Sequence, residues 1–378
     1  MMKLKSLLLA VCLSLCLAAA GQDLQSYVSP SPYRTVTVAE PAQDSDVRNI
    51  ILMIGDGMGL EQISCAWVVN HGSLNVDNMP VTGLSRTYSA NRLVTDSAAG
   101  GTALACGVKT NNGYVGVGTD GNPLGSIFDK AIAAGKKTGV VTTCRLNDAT
   151  PATFCCNNID RDEAEDIVSD YLECGVDYIA GGGLKYWRER SDGRDIVAEM
   201  EAEGYSAVLD PDSLSSVKNL PVLAVLADLE LPPALERGDL YRNMVKQGIT
   251  MLSEAGGENG FVMMLEGSCI DDWCHAGEIG PAMEELMDFD RTLGDVLEWA
   301  AADGHTLVIV TADHATGALT LQDGDLGEGK VSVAFGNDGH NGIAVPYYAF
   351  GPGSSKFGGI LENSELGRLI ASFVSPQD

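Results

Sequence analysis

Short apolar runs alternate with amphipathic segments along most of the chain. Runs such as NIILMIG (49–55), FVMMLEG (261–267) and HTLVIVTAD (305–313) have the length and composition of buried strands. Between such runs, YRNMVKQGITMLSEA (241–255) and PAMEELMDFDRTLGDVLEWAA (281–301) place apolar residues at helical spacing. This alternation predicts an α/β fold, in which a mostly parallel central sheet is flanked by helices on both faces as a three-layer α/β/α structure.

The other predicted elements follow the same rhythm. Four further apolar runs are predicted strands: TGVVTT (138–143), DYIAGGG (177–183), PVLAVLA (221–227) and VPYYAFGPG (345–353). Helical patterns are predicted from about Leu60, across 150–173, over 195–204 and over 365–374. Neither an internal repeat nor a low-complexity tract interrupts the series.

The N-terminal segment differs from the rest. Residues 1–20 combine a basic start, a short apolar stretch and an AAA end, which is typical of a cleaved secretory signal peptide. Val11 and Leu15 precede the two cysteines of this stretch where a lipoprotein signal would need a small residue, so we expect cleavage near Ala20. The predicted organisation is a signal peptide (1–20), a polar, proline-containing lead-in (21–47) and one catalytic domain (48–378), in a periplasmic or secreted protein that does not span the membrane.

The excess of acidic residues limits the classes of molecule that the protein can bind. The chain carries 52 acidic and 24 basic residues, a formal charge of −28. Such acidity argues against binding to nucleic acid or to an anionic membrane. An anionic substrate would need locally concentrated positive charge, and bound cations supply it. Eight cysteines remain after removal of the signal, an even number in a compartment that permits disulfides, but their pairing cannot be derived from the sequence.

Polar side chains follow the predicted strands where those strands end. In open α/β sheets, ligands bind at the carboxyl ends of the strands. A single carboxylate at such a place is often only a helix cap, whereas several that converge indicate a site. The residues in question are Asp56, Asp148, Thr150, Glu266, Asp313 and His314.

The segment EGSCIDDWCH carries the strongest local signal for a metal. Asp271 and His275 are four positions apart, so one turn of helix would direct both at one ion. His340, in DGHNG, could complete that ion's ligands. Asp313 and His314 in TADHATG pair an oxygen donor with a nitrogen donor, as zinc prefers.

A serine lies in VTDSAAGGTALACG (94–107), at a predicted strand-to-helix turn. Free backbone N–H groups and the helix dipole would favour an anion beside Ser97, a setting that suits a nucleophile. The alternative is an N-capping serine beside a capping aspartate.

Taken together, these segments resemble the alkaline phosphatase family between residues 49 and 353. The matching motifs, in the order of the family, are ILMIGDGMG, VTDSAAGGTALACGVKT, NDATPATF, DYIAGGGLKYW, EGSCIDDWCH, TADHATG and HNGIAVPYYAFGPG.

The resemblance implies a set of site residues. It assigns Asp271, His275 and His340 to a first zinc ion. It assigns Asp56, Asp313, His314 and the Ser97 oxygen to a second. Asp56 would also bridge to a magnesium ion held by Thr150 and Glu266, which Asp148 would reach through water. Arg161 would bind the phosphate. Without the resemblance, an arginine between Asp160 and Asp162 would be interpreted as a solvated surface charge.

The implied activity is hydrolysis of small-molecule phosphate monoesters at alkaline pH, through a phosphoserine on Ser97, with two Zn²⁺ and one Mg²⁺ as cofactors. The alternatives are a phosphodiesterase or sulfatase of the same superfamily and a secreted zinc-binding protein without catalysis. DSAAG lacks the C/S-x-P-x-R motif of sulfatases, and the magnesium ligands Thr150 and Glu266 favour a monoesterase over a diesterase.

The chain departs from the family pattern at two places. Asp272 and Trp273 stand where some relatives carry a basic residue that touches phosphate through water, so we expect lower phosphate affinity. The interval from His314 to His340 is too short for the crown domain of many relatives, which predicts a monomer or a dimer with a small interface. Cys269 and Cys274 bracket the zinc ligands, and either a local disulfide or plain packing explains them better than metal coordination.

Overall fold

A computed structural model describes residues 24–374. The predicted signal peptide lies outside the described residues. The strands are β1 Gln25–Val28, β2 Asn49–Gly55, β3 Val81–Arg86, β4 Lys137–Arg145, β5 Tyr178–Gly182, β6 Ser206–Val208, β7 Val222–Val225, β8 Phe261–Gly267, β9 Thr306–Thr311, β10 Ala315–Thr316, β11 Thr320–Asp325, β12 Lys330–Ala334, β13 His340–Asn341, β14 Val345–Phe350 and β15 Gly359–Glu362.

The helices occupy most of the intervals between these strands. They are α1 Leu60–Val69, α2 Ser97–Cys106, α3 Ile127–Ala133, α4 Ala149–Cys155, α5 Ala164–Asp170, α6 Leu184–Arg188, α7 Ile196–Ala202, α8 Ala234–Arg237, α9 Leu240–Gly256, α10 Cys269–His275, α11 Ile279–Asp303 and α12 Asn363–Ala371. Short 3₁₀ turns lie at Asn75–Asn78, Pro211–Ser216 and Ser354–Lys356.

Ten strands form the central sheet, in the order β15-β3-β14-β9-β2-β8-β4-β5-β7-β6. The seven strands from β9 to β6 all run parallel to one another, whereas β14 runs antiparallel to both β9 and β3. The predicted fold class, a mostly parallel α/β sheet covered on both faces, is therefore confirmed.

Each central strand is buried on both faces, which explains its continuous apolar run. In β2, Ile51 and Met53 contribute to one hydrophobic core, while Ile50, Leu52 and Ile54 contribute to the other. Helices α1, α9 and α11 cover the first core, and α2, α3, α4, α5, α7 and α12 cover the second. Successive side chains of a strand point to opposite faces, so one apolar run builds both layers.

The helical pattern across 150–173 corresponds to two helices, α4 and α5, separated by a loop that carries Arg161. The lead-in contains a strand that its polar composition did not indicate: β1 pairs antiparallel with β12. The lead-in also contacts α11, where Tyr27 Oη donates to Glu284 Oε1 over 2.7 Å. Pairing with a distant strand decides this element, and local composition carries no trace of it.

The small residues at the start of α2 allow close packing around the site. A Cβ on Gly100 would lie 3.0 Å from the backbone oxygen of Asp313, and a Cβ on Gly101 would lie 2.8 Å from Thr153 Oγ1. The Gly-Gly pair therefore lets this helix approach both the end of β9 and helix α4. This close approach brings the N-terminus of α2 to the carboxyl ends of the sheet.

Candidate metal centre and nucleophile

The candidate site lies at the carboxyl ends of four neighbouring strands. Asp56 directly follows β2, Glu266 lies near the end of β8, and Asp313 comes two residues after β9. Thr150 lies in the first turn of α4, which follows β4. Because β9, β2, β8 and β4 are adjacent and parallel, their ends form one row. Residues separated by more than 250 positions are thereby brought together.

Asp271, His275 and His340 form one compact group of donors. Their ligand atoms all lie within 4.8 Å of one another. His275 Nε2 is 3.1 Å from Asp271 Oδ2 and 3.1 Å from His340 Nε2. The helical spacing in CIDDWCH thus has the predicted effect, since α10 presents Asp271 and His275 to the same point.

The hydrogen bonds of the two histidines direct their Nε2 atoms inward. His340 Nδ1 lies 2.9 Å from the carbonyl oxygen of Thr95, and His275 Nδ1 contacts the carbonyl oxygen of Asp338. A carbonyl can only accept, so each Nδ1 donates its proton outward and each Nε2 points inward. Two Nε2 lone pairs 3.1 Å apart would repel each other, so a metal ion, or in its absence a proton, must lie beside them. This arrangement fits a metal ion.

His314 is the centre of a second group. Its Nε2 lies 3.3 Å from Asp56 Oδ1, 3.2 Å from Asp313 Oδ2 and 3.2 Å from Ser97 Oγ. Asp271 lies between the two groups, because its carboxylate also falls within 4.8 Å of the donor atoms of Asp56 and His314. The other three residues that the resemblance implied for a second ion, Asp56, Asp313 and Ser97, therefore converge on the Nε2 of the fourth, His314.

Several buried oxygens of the site have no hydrogen-bond partner among the described residues. Buried polar atoms are normally satisfied, so a cluster of exceptions points to a ligand such as an ion. The donor set is made up only of carboxylate and hydroxyl oxygens, as hard cations prefer. The orphaned atoms are Asp56 Oδ1, Asp313 Oδ2, Thr150 Oγ1 and Glu266 Oε1.

The raised pKa values of the buried carboxyl groups show that the site lacks positive charge. Burial raises the pKa of Asp313 to about 7 and that of Glu266 to about 8, and neighbouring carboxylates add to both shifts. Burial, reinforced by Asp313 and Asp271, also raises the pKa of Asp56 well above its ordinary value. Charged carboxylates in such a place need positive charge nearby. Divalent cations would supply it.

The histidines respond in two ways. Burial holds the pKa of His314 well below its usual value, so this ring is neutral and its nitrogen can bind a cation. The hydrogen bond that His275 Nε2 donates to Asp271 raises the pKa of His275 to about 9. A proton shared by Asp271 and His275 thus occupies the position that a metal ion would take.

Ser97 is the first residue of α2 and is almost fully buried. Asp96 caps this helix, with Oδ1 accepting from the backbone N–H of Ala99 over 3.0 Å. The capping role therefore belongs to Asp96, which leaves the Ser97 hydroxyl free to face His314. The alternative interpretation of Ser97 as a simple cap does not match this geometry.

Arg161 reaches the site from the loop between α4 and α5. Its Nη2 lies 3.2 Å from Asp148 Oδ1, and its Nη1 lies 3.5 Å from Asp96 Oδ2. Although burial works against the charged form, Asp148, Asp96 and Asp56 raise the pKa of the guanidinium. Arg161 is thus held by carboxylates of the site and is not a solvated surface charge.

Two residues that sequence reasoning missed hold the predicted ones in place. Arg145, the last residue of β4, donates through Nη2 to Asp148 Oδ2 over 2.9 Å and pairs through Nε with Glu230 Oε1 at 3.0 Å. Thr142 Oγ1 donates to Glu266 Oε2 over 2.5 Å. Arg145 could have been suspected, because it lies three positions before Asp148. Nothing in the sequence links Thr142 to Glu266.

The acidic departure at Asp272 lies near this arginine. Burial, together with Asp148 and Asp271, raises the pKa of Asp272 to about 6, and Arg145 opposes the shift.

Cys269 and Cys274 are both buried and unpaired on α10. Cys274 Sγ accepts from Gln62 Nε2 at 3.7 Å, so the packing interpretation fits these two cysteines better than a local disulfide.

Comparison with known proteins agrees with this geometry. The alkaline phosphatase family model matches residues 47–331. The alkaline phosphatase of Escherichia coli K12 is 30% identical over 416 residues, covering 88% of this chain and 87% of that protein. Alkaline phosphatase 4 of Bacillus subtilis is 29% identical over 436 residues, covering 93% and 92% of the two chains. The solved structure of the alkaline phosphatase from the Antarctic bacterium TAB5 is 36% identical, has a TM-score of 0.81, and is matched over 87% of this chain and 99% of that chain.

The fold, the row of donors at the strand ends and these similarities define a phosphate-ester hydrolase. The chain belongs to the alkaline phosphatase family and is a phosphomonoesterase. Membership of this family implies metal cofactors. Within residues 24–374, every helix is too short or too polar to cross a membrane.

Proposed function

We propose that this phosphatase hydrolyses phosphate monoesters at alkaline pH through a phosphoserine on Ser97, with two Zn²⁺ and one Mg²⁺ as cofactors. The observation that carries the proposal is the position of Ser97 Oγ, 3.2 Å from His314 Nε2 at the start of a helix and beside buried, unpartnered carboxylate oxygens. The Ser97 hydroxyl faces metal-binding side chains, and cations bound to those side chains would lower its pKa.

The donor chemistry supports three separate assignments. Asp271, His275 and His340 would hold one zinc, since they offer the oxygen and nitrogen atoms that zinc prefers. Asp56, Asp313 and His314 would hold the second beside Ser97. Glu266, Thr150 and Asp56 would hold magnesium, with Asp148 acting through water.

Once bound, the cations would supply Lewis acidity, which would lower the pKa of the serine hydroxyl and stabilise the leaving alkoxide. In the first step Ser97 loses its hydroxyl proton to solvent, Ser97 Oγ forms a bond to phosphorus, the bond from phosphorus to the ester oxygen breaks, and the leaving alkoxide takes a proton from water. In the second step water attacks the phosphorus, the bond from phosphorus to Ser97 Oγ breaks, and phosphate and the free Ser97 hydroxyl are released. In the transition state of each step, negative charge is spread over the equatorial phosphate oxygens.

Arg161 is proposed to bind these oxygens. Its planar guanidinium matches two oxygens of a phosphate group. Asp96 and Asp148 hold it from two sides, so little side-chain freedom remains to be lost when phosphate binds. The N-terminus of α2 adds free backbone N–H groups that favour an anion.

A relative informs the choice of the third metal. The solved structure of a histidine-to-aspartate variant of the TAB5 alkaline phosphatase has magnesium bound in its M3 site. This chain has an aspartate at position 148, and the orphaned donors assigned with it to the third site, Thr150 Oγ1 and Glu266 Oε1, are oxygens. Oxygen-only sites suit magnesium, whereas an imidazole would favour zinc.

Trapping the intermediate tests the mechanism. The wild-type protein, mixed with a phosphate monoester and quenched in acid, should carry phosphate on the peptide that contains Ser97. Ser97→Ala should abolish the label while zinc content stays near two per chain, because the other ligands remain. Thr102→Ala, in the same helix, serves as the control. Phosphate on any residue other than Ser97 would overturn the proposal.

The rival activities are tested in parallel. We expect efficient hydrolysis of an aryl phosphate, and far slower hydrolysis of a bis-aryl phosphate and an aryl sulfate. Preference for the diester or the sulfate would instead favour the related hydrolase classes. A metal-loaded protein that hydrolyses none of the three would favour a zinc-binding role. We further propose a periplasmic or secreted location and a monomer or small-interface dimer, which fractionation and light scattering would examine.

A further inference from the structure

Two cysteines meet at the far end of α4, away from the metal centre. Cys155 is the last residue of α4, and Cys174 lies just beyond α5. Both residues line the same cavity, and the Cys174 thiol is near enough to raise the pKa of Cys155. Both side chains are partly exposed and line a cavity of about 260 Å³. A small reagent can therefore reach the pair.

The two chain segments are held side by side by bonds that do not involve these thiols. The backbone N–H of Asn157 donates to Asp170 Oδ2 over 2.9 Å. Cys156 Sγ donates to the carbonyl oxygen of Ile167 over 3.3 Å. These bonds hold the two segments side by side, so that Cys155 and Cys174 border the same cavity.

Of the adjacent residues Cys155 and Cys156, burial favours Cys155 as the partner of Cys174. Cys156 is buried and directs its sulfur to Ile167, whereas Cys155 faces Cys174. Helical geometry accounts for the difference, since consecutive residues at the end of a helix point in different directions. The alternative pairing of Cys156 with Cys174 would require the Cys156 side chain to leave its pocket.

We propose that Cys155 and Cys174 form a disulfide bond when the protein meets a disulfide oxidant. One thiolate attacks the oxidant, a low-molecular-weight or protein disulfide, and forms a mixed disulfide with release of one thiol. The second cysteine attacks the mixed disulfide and releases the other thiol. Two S–H bonds break and one S–S bond forms, and the oxidant carries away two electrons and two protons.

The bond would close a loop that contains Arg161. This loop runs from the end of α4 through Arg161 and helix α5 to Cys174. A cross-link of this length restricts the unfolded chain and so stabilises the folded protein. The cross-link itself does not depend on the proposed mechanism, so its failure would leave the role of Ser97 untouched.

Peptide mapping tests the pairing directly. The full-length, metal-loaded protein is reduced, exposed to glutathione disulfide and treated with iodoacetamide, followed by digestion with trypsin without reductant. Cleavage after Arg145, Arg161 and Lys185 separates the two cysteines into peptides 146–161 and 162–185. We expect these peptides to be joined, with a mass two hydrogens below their sum.

Variants resolve the ambiguity of the adjacent cysteines. Cys156→Ser should retain the joined peptides, whereas Cys155→Ser and Cys174→Ser should each lose them. Alkylation of all three cysteines after oxidation would overturn the proposal, as would a joined pair that survives in Cys155→Ser. Burial and the neighbouring sulfur raise the pKa of Cys155 well above its ordinary value, so oxidation should be faster at pH 9 than at pH 7.

Thermal unfolding supplies an independent readout. The oxidised protein should melt roughly 3–10 °C above the reduced protein, as expected for a closed loop of this size. Cys156→Ser should keep this difference, and Cys174→Ser should lose it. Equal melting temperatures for the oxidised and reduced forms of the wild type would contradict the proposal.

Discussion

Arg161 is held by Asp148: Nη2 of the arginine lies 3.2 Å from Oδ1 of the carboxylate. The other oxygen of Asp148 accepts from Arg145 over 2.9 Å, and Glu230 holds Arg145 in turn. The carboxylate therefore connects an arginine at the carboxyl end of β4 with the arginine proposed to bind phosphate. Changes at each point of this chain of ion pairs should have graded effects.

Replacing Arg161 should have the largest effect on phosphate binding. Arg161→Ala removes a charge-assisted hydrogen bond, which corresponds to about 1.5–3 kcal/mol in kcat/KM, or roughly 10- to 150-fold. Inhibition by inorganic phosphate should weaken in parallel. The phosphate affinity of Arg161→Lys should lie between those of the wild type and Arg161→Ala, because lysine keeps the positive charge but lacks the planar guanidinium. An unchanged phosphate inhibition constant in Arg161→Ala would show that the arginine does not bind phosphate.

Replacing Arg145 should have a smaller effect of the same kind. Arg145→Met removes one of the partners that hold Asp148, and we expect inhibition by phosphate to weaken about two- to fivefold, as for the loss of a partly exposed ion pair. The effect should vanish in an Asp148→Asn background, since the two residues would act as a unit. Arg194→Met, which breaks an exposed pair with Glu199, is the matched control. Full additivity with Asp148→Asn would argue against a positioning role.

Asp148 should also decide which metal fills the third site. Partly stripped wild-type protein should gain activity when magnesium is added. Asp148→His should reduce this gain and raise zinc content from about two towards three per chain, because imidazole favours zinc. Elemental analysis with equilibrium dialysis provides the measurement. Three zinc ions in the wild type, with no response to magnesium, would refute the assignment.

The buried carboxylates should make the metal-stripped protein sensitive to pH. The pKa of Asp313 rises from 3.8 to about 7, and that of Glu266 from 4.5 to about 8. Raised pKa values stabilise the fold below the unfolded pKa, and that stability is lost as pH rises through the folded values. Between pH 6.5 and 8.5 the free energy of unfolding should therefore fall. Near pH 6.5 His314 opposes this fall, since an unfolded histidine is still half protonated there, whereas His275, whose pKa is raised to about 9, adds to the fall.

Calorimetry or denaturant titration across this range would measure the effect. Adding zinc and magnesium should reverse the slope, because metal ions bind the deprotonated carboxylates and compete with protons. Glu266→Gln should flatten the upper part of the curve in the stripped protein. A stripped protein that becomes more stable between pH 6.5 and 8.5 would contradict the raised pKa values.

The sequence by itself determined the architecture and the chemical types of the site residues. Runs such as NIILMIG and FVMML predict strands buried on both faces, because a strand covered by helices needs no polar alternation. The spacing of Asp271 and His275 predicts a shared ligand, because four residues make about one helical turn. Order along the chain also placed Asp56, Glu266 and Asp313 after strands.

Only the tertiary structure decided which of these groups meet and what holds them. β1 forms because β12 lies beside it, and its own polar composition carries no strand signal. Arg145 and Thr142 support Asp148 and Glu266 through contacts that the strand order creates. Cys155 meets Cys174 because α5 folds back against α4. Local patterns depend on neighbours within a turn or a pleat, whereas ion pairs, orphaned donors and thiol contacts depend on distances between segments remote in the chain.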